Sequence, residues 1–337
     1  MLFKKYSSVE NSFDEEYVRK VRWQMPADLK YAVQEKVHGA NASFLCDGND
    51  IRFAKRTALV EADEPFYGYA DLVDLYRDRI LALTKDVMGQ YPGVIQVSIF
   101  GELFGGCYPH PDVPAIKDMV PVQKGIWYCP GHEFYGFDIY VIYEDEGDFL
   151  SVEETDALFE KHGFFYAKTL FTGMLDECLT HPNAFVSHIP DWLGLPPIEN
   201  NICEGIVIRP VVPMFLGNGS RVMIKSKNER FAEKKARKGP GPELNLSATY
   251  SDEMKELVAV LATYFTEPRL DNVISHIGEV QFPRDFGKLT GLYAKDVFED
   301  YMKENMVAYN ELERKEQKAI NKELAKLAAA MIRKRKQ

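Results

Sequence analysis

Between residues 30 and 230, seven segments rich in β-branched and aromatic residues follow one another with few helices between them. They are residues 31–37 (YAVQEKV), 42–47 (ASFLCD), 51–56 (IRFAKR), 95–103 (IQVSIFGEL), 133–143 (EFYGFDIYVIY), 204–211 (EGIVIRPV) and 221–228 (RVMIKSKN). Gly, Asn or Asp bound them, as expected of strands. Only three helix candidates interrupt the series. Residues 69–87 place Leu72, Leu75, Ile80, Leu83 and Val87 at helical spacing. Residues 152–161 follow Ser151 with Glu154 three positions later, a capping-box pattern. The third begins at Thr172 or Gly173 and ends at Leu179. A parallel sheet needs a crossover helix between nearly every pair of strands. Too few are present, so the reading is an α+β domain with a mostly antiparallel sheet.

The pattern then changes. Residues 235–248 (KARKGPGPELNLSA) hold two Gly-Pro pairs in a polar stretch and read as a linker. Beyond it the chain reads as helix over residues 251–263, over 270–277 and from 295 to the end. In the last of these, Leu312, Ile320, Leu324, Leu327 and Met331 share one face. The expected organisation is a sheet domain over 1–234, a linker over 235–248 and a smaller all-helical domain over 249–337. A length of 337 residues suits two domains. No window reaches the ~20 apolar residues of a membrane helix, and the first residues carry no apolar run of signal-peptide type. Five scattered cysteines suit a reducing compartment. The expectation is a cytoplasmic monomer with no membrane role.

Net charge is −10, which argues against non-specific polyanion binding. The basic residues are nevertheless clustered. Arg221, Lys225, Lys227, Arg230, Lys234, Lys235, Arg237 and Lys238 meet only Glu229 and Glu233, and the chain ends IRKRKQ. Such a run is either a solvated face or a phosphate-binding stripe.

One lysine sits in an unusual setting. Lys36 lies in EKVHGAN (residues 35–41), at the end of a strand and before a glycine. An ordinary lysine titrates near ~10.4, so a nucleophilic one needs desolvation or neighbouring positive charge. Lys225 and Lys227 alternate on a strand and share a face. If that face meets Lys36, they supply the charge and bind a phosphate. Glu204 stands among apolar strand residues and needs a partner, for which a divalent metal is suited. Glu102 and Asp138 are further carboxylates at strand ends, and Phe137 offers a flat face for a base. Each signal alone has an ordinary structural explanation. The ordered set is more specific: EKVHGAN, FAKRT (53–57), FGELFGG (100–106), EFYGFDI (133–139) and CEGIVIRP (203–210) with MIKSKN (223–228).

This ordered set resembles the covalent nucleotidyltransferases: DNA ligases, RNA ligases and mRNA capping guanylyltransferases. Within them the chain is similar to the RNA ligase 2 family of bacteriophage nicked-duplex RNA ligases and trypanosome RNA-editing ligases. The stretches FKKYSSVEN (3–11), YPHPDV (108–113), KNERFAEKK (227–235) and DFGKLTGL (285–292) carry the likeness over nearly the whole chain. His38 stands where DNA ligases and capping enzymes usually have Asp, which favours an RNA ligase.

The resemblance implies that Lys36 attacks the α-phosphate of ATP and holds AMP, which then passes to an RNA 5′-phosphate before a 3′-hydroxyl seals the nick. By the same likeness, Phe137 would stack on adenine and the Glu35 backbone would read its edge. Glu102 and Arg56 would hold the ribose, with Lys55 nearby and Asn41 close to the ribose or a hydrated metal. His38 would act on the leaving pyrophosphate, Glu204 would engage Mg²⁺ or Mn²⁺, and Lys225 and Lys227 would bind the α-phosphate. Asp138 matches the family pattern without a clear role. Ala40 and Arg209 depart from the phage members, which have Thr and Lys there. The helical domain would bind nicked double-stranded RNA through Lys318, Lys322, Lys326, Arg333, Lys334, Arg335 and Lys336.

Other readings are a ligase acting on DNA or RNA/DNA hybrids, a capping enzyme, and a non-catalytic RNA-binding protein with a decayed core. The helical tail speaks against capping, and the four intact residues Lys36, Glu204, Lys225 and Lys227 speak against decay. Cys107, His110, Cys129 and His132, in two Cys-x₂-His pairs, form a possible zinc set.

Overall fold

The computed structural model describes residues 1–144, 146–232 and 250–336. The chain divides into two compact units, Met1–Asn228 and Glu229–Gln337. The proposed linker over 235–248 lies outside the described residues.

The first unit contains β1 (Glu10–Asn11), α1 (Glu15–Gln24), β2 (Tyr31–Lys36), β3 (Ala40–Cys46), β4 (Ile51–Lys55), β5 (Ala58–Leu59), α2 (Tyr69–Gln90), β6 (Gln96–Gly105), β7 (His132–Ile142), β8 (Gly147–Phe149), α3 (Val152–Lys161), β9 (Thr169–Gly173), α4 (Leu175–Leu179), α5 (Ile189–Trp192), β10 (Gly205–Pro210) and β11 (Ile224–Lys227). They form two sheets, ordered β1-β11-β10-β2-β9 and β5-β4-β3-β6-β7-β8. Every pairing is antiparallel except β1 with β11. The α+β class and the antiparallel pairing expected from the strand series are therefore what the chain adopts.

Period-2 alternation decides which face of each sheet holds the chemistry. In the second sheet Ala42, Phe44, Val97, Ile99, Phe134 and Val141 pack against Tyr76, Ile80 and Leu83 of α2. In the first sheet Val33, Ile206, Ile208 and Ile224 pack against Tyr17 and Val21 of α1 and Cys178 of α4. The two outer faces are thus covered by helices. The alternate residues, among them Lys36, Arg209, Lys225, Lys227, Asn41 and Glu102, occupy the opposite faces. A smaller apolar cluster of Tyr6, Phe100, Tyr140, Phe149 and Met223 draws on both sheets and on the N-terminal segment.

The helix predicted from Thr172 or Gly173 to Leu179 is shorter in the structure. Residues 169–173 form β9, pairing with β2 at the sheet edge, and the helix is only Leu175–Leu179. TLFTG is a short edge strand without clear alternation, so the nearby acidic helix-like residues dominated the pattern. The capping box at Ser151 is formed as read: its side chain accepts from the Glu154 N–H at 3.2 Å, and Glu154 reaches back. Such a cap stabilises a helix by about 1 kcal/mol.

The second unit contains α6 (Asp252–Ala262), α7 (Glu267–Ile277), α8 (Phe286–Glu311) and α9 (Arg314–Lys336). Its core includes Leu261, Leu270, Tyr293, Val297, Ile320 and Leu324. The run read as continuous from 295 is broken after Glu311, so two helices pack on one another. Arg269 is buried and holds Asp296 and Asp300, each at 2.7 Å. Among the described residues no helix is long and apolar enough to cross a membrane.

Candidate active site

Register brings the central groups together. Lys36 at the end of β2 lies opposite Gly205, so Glu204 arrives beside it. Gly205 lies opposite Lys227 on the other side of β10. A Cβ on Gly205 would collide with the Ser226 carbonyl oxygen, so glycine permits this close approach. The result is a carboxylate between two ammonium groups: Glu204 Oε2 lies 2.8 Å from Lys36 Nζ, and Oε1 lies 2.8 Å from Lys227 Nζ. His38 Nδ1 stands 3.9 Å from the same carboxylate. Glu204 is 1 % exposed. Burial alone pushes its pKa up, but Lys227, Lys36 and His38 outweigh this and hold it at about 2.

Gly39 serves the other side of the cleft. A Cβ there would strike the Leu103 carbonyl oxygen, so only glycine lets the chain leave Lys36 pressed against β6. This begins β3, where Asn41 lies opposite Glu102. Burial raises the Glu102 carboxyl to about 7; Glu204 adds to the rise, while Lys36, Arg56 and Lys227 oppose it. Glu102 therefore shares an electrostatic site with Lys36, Glu204, Lys227 and Arg56. A carboxyl whose folded pKa is raised keeps its proton in the folded state while the unfolded chain has lost it. Stability is then expected to fall as pH rises from about 4.5 to about 7. Urea unfolding across that range should show this slope in the wild type and a flatter one in Glu102→Gln.

The remaining expected site residues fall as follows. Arg56 follows β4 directly, and Lys55, at the end of β4, pairs with Glu64. Lys225 lies opposite Val207 and is half-buried. The Glu35 carboxylate is buried and accepts from Ser187 Oγ at 2.6 Å, the His188 N–H at 3.0 Å and His188 Nδ1 at 3.0 Å. These contacts anchor the strand residue next to Lys36. The Glu35 carbonyl accepts from the Tyr135 hydroxyl at 3.2 Å, and the Tyr128 hydroxyl accepts from the His38 N–H at 3.0 Å.

Asp138 differs from its neighbours. It is completely buried, and its oxygens are taken by Arg221, by Arg209 at 3.1 Å and by the Tyr6 hydroxyl at 2.8 Å. Burial works against its charge, yet the two guanidiniums hold its pKa below the ordinary value. Its side chain is thus committed to the protein rather than open to a nucleotide. Arg221, read from sequence as part of a basic stripe, is a buried member of this group. Phe137 beside it is half-buried. Phe100 lies opposite Asp138 and Gly101 opposite Gly136, so Phe137 is the extra residue of a β-bulge. A bulge re-aims a side chain.

The possible zinc set is not assembled. Cys129 Sγ donates to the Gly131 carbonyl at 3.1 Å, His132 Nε2 lies 2.7 Å from the Val120 carbonyl, and His110 Nδ1 accepts from the Asp112 N–H at 3.2 Å. Among the described residues no group of three or more His, Cys, Asp or Glu gathers for a metal. Sequence reasoning missed Tyr6, Ser187 and His188, and saw Arg221 only as one charge of a basic run. Only FKKYSSVEN hinted at Tyr6, and nothing in the composition flagged Ser187 or His188.

Two mostly antiparallel sheets covered by helices, with a lysine, a buried carboxylate and a second lysine joined across adjacent strands, are the arrangement of a nucleotidyltransferase-type ligase. Residues 29–227 match the RNA ligase family, and residues 248–330 match the C-terminal domain of T4 RNA ligase 2. The chain belongs to the RNA ligase family, in its RNA ligase 2 branch, and is an ATP-dependent RNA ligase. It is 26 % identical over 349 residues to the mitochondrial RNA-editing ligase 2 of Trypanosoma brucei brucei, covering 90 % of this chain and 84 % of the relative. It is 30 % identical over 339 residues to the mitochondrial RNA-editing ligase 1 of the same organism, covering 82 % and 71 %. A solved RNA ligase of Naegleria gruberi with ATP and Mn is similar at 13 % identity and a TM-score of 0.45. That likeness covers 68 % of this chain and 57 % of that one.

Proposed function

We propose that the chain seals 3′-hydroxyl/5′-phosphate nicks in duplex RNA through a lysyl-AMP intermediate on Lys36. The observation that carries this reading is the Lys36–Glu204–Lys227 cluster at the mouth of β2 and β10. Lys36 Nζ attacks the α-phosphorus of ATP. A P–N bond forms, the bond to the β-phosphate oxygen breaks, and pyrophosphate leaves. An oxygen of the RNA 5′-phosphate then displaces the lysine, giving a 5′–5′ pyrophosphate linkage to AMP. Finally the 3′-hydroxyl attacks the 5′-phosphorus, and AMP departs. Positioning and charge neutralisation dominate each step.

Lys227 and Lys225 would neutralise phosphate oxygens, and Phe137 would stack on the base. Asn41, Glu102 and Arg56 suit the ribose hydroxyls, and Lys55 a neighbouring phosphate. Glu35 holds the strand carrying Lys36, and His38 lies near the departing pyrophosphate. The donor set fits a divalent metal brought with the nucleotide. Mg²⁺ commonly takes one or two carboxylates and completes its shell with phosphate oxygens and water. Glu204 is the residue to hold it. Such a metal would supply positive charge to the phosphate; Glu204, engaged by it, would then release Lys36 from their ion pair.

On α9, Lys318, Lys322 and Lys326 are exposed and recur every fourth residue, so they line one stripe. Lys326 is paired with Glu323 at 2.6 Å and Arg335 with Asp271, whereas Lys318 and Lys322 have no carboxylate partner among the described residues. We assign this stripe to RNA phosphates. The double variant Lys318→Ala/Lys322→Ala is expected to bind nicked duplex RNA more weakly. It should lower the slope of log K against log salt by about 1 to 2. Filter binding between 50 and 200 mM salt checks this; an unchanged slope would remove α9 from the interface. The substrate itself is tested by sealing matched nicked duplexes of RNA, DNA and hybrid strands. Faster sealing of DNA would replace the RNA reading by the DNA-ligase one.

A further inference from the structure

Residues 1–11 run between the two sheets and touch both. The Leu2 backbone exchanges hydrogen bonds with the Gln96 side chain of β6 at 2.7 and 2.8 Å. Lys4 Nζ lies 4.8 Å from the Tyr140 ring centroid on β7. Glu10 and Asn11 then pair with Ile224 and Lys225 of the other sheet. Midway, Tyr6 is 5 % exposed. Its ring lies 4.9 Å from Phe100, 5.0 Å from Phe137 and 6.1 Å from Phe149. Its hydroxyl donates to Asp138, the residue following Phe137 in the bulge.

We infer that Tyr6 is a positioning residue that sets the tilt of Phe137 and so the affinity of the cleft for its nucleotide base. This rests on the reading of Phe137 as the base platform. A bulged residue has lost its place in the ladder, so its side chain needs support from elsewhere. Tyr6 provides it on one side through a tilted ring contact at 57°. It cannot drift itself. Phe100 and Phe149 flank its ring, and Asp138, fixed by Arg209 and Arg221, holds its hydroxyl. The segment therefore ties the platform to the same strand, β11, that carries Lys225 and Lys227. Tyr6 need not touch the nucleotide to act on it.

The test is a double-mutant cycle on the full chain, read as the KM and kcat for ATP in pyrophosphate exchange, with melting temperature recorded for each variant. Tyr6→Leu is expected to raise KM by about tenfold, since small misplacements of positioning groups have effects of this order. Its kcat should stay within about twofold. Tyr6→Phe keeps the ring between Phe100 and Phe149 but loses the Asp138 anchor, and its KM should fall between wild type and Tyr6→Leu. In a Phe137→Leu background, Tyr6→Leu should change KM no further, because its target is gone. An equal KM increase in that background, or an unchanged KM in Tyr6→Leu alone, would overturn the inference. So would a Tyr6→Phe variant as defective as Tyr6→Leu. Should Tyr6→Leu be unfolded, Tyr6→Met, which keeps more volume, repeats the cycle. If Phe137→Leu leaves KM unchanged, the platform reading itself fails, and the two failures are told apart.

Discussion

Lys36→Ala is expected to gain no AMP on incubation with ATP and Mg²⁺, while the wild type gains the mass of one AMP. With no amine to form the P–N bond, the rate should fall by at least ~10³-fold. The fold should survive, because Glu204 keeps Lys227 at 2.8 Å as a counter-charge. The variant should still join an RNA nick whose 5′ end already carries AMP, since that step neither makes nor breaks a bond to lysine. Intact mass spectrometry measures the first outcome, and gel analysis of a pre-adenylylated nick measures the second. AMP on the Lys36→Ala protein would place the nucleophile elsewhere. Mass gain from GTP in preference to ATP would point to capping chemistry.

Glu204→Gln carries the second large effect. The amide keeps the volume but removes the charge between Lys36, Lys227 and His38. Two half-buried ammonium groups then face one another without their shared carboxylate, and a nucleotide-borne metal would lose its proposed anionic ligand. AMP transfer is expected to drop by about 10² or more, the scale seen when one preorganised charge-stabilising group is removed. Acid unfolding gives an independent reading. Glu204 is held at about 2, below its ordinary 4.5. A depressed carboxylate contributes its full stabilisation above the unfolded value and loses it as pH falls. The wild type should therefore lose stability between about pH 4.5 and 2, and Glu204→Gln should lack that part of the loss. A Gln variant that takes up AMP at the wild-type rate would reduce Glu204 to a structural role.

Much of this site could be read from sequence because it follows from alternation and order. Lys225 and Lys227 share a face because they lie two positions apart on a strand, and β11 holds both. Gly39, three positions after Lys36, was visible in the sequence, and the structure shows which carbonyl requires a glycine there. Register was not legible. That Lys36 lies opposite Gly205, and hence beside Glu204, depends on how strands far apart in sequence align. The same holds for Asp138. Its carboxylate looked available for a ligand, because its partners Tyr6, Arg209 and Arg221 lie 132, 71 and 83 residues away. Arg221 looked like one charge in a basic run, since local composition carries no information on a partner in the other sheet. The edge strand β9 was hidden for a different reason: five residues with no clear alternation leave little pattern to read.

The segment that joins the sheets also bears on the order in which the molecule comes into being. Tyr6 and Met223 are 217 positions apart, and the first strand pairs with the eleventh. The residues of β1 must wait for nearly the last residues of their unit. Contacts of such separation close slowly, because loop entropy is lost before they form. The helical second unit closes over shorter separations, the Tyr250 hydroxyl reaching Glu323 across 73 positions. A chain halted anywhere before residue 220 has its nucleophile but neither Lys225 nor Lys227, and its N-terminal strand has no partner. On the roles proposed for Lys225 and Lys227, nucleotide transfer waits for the strand that carries them.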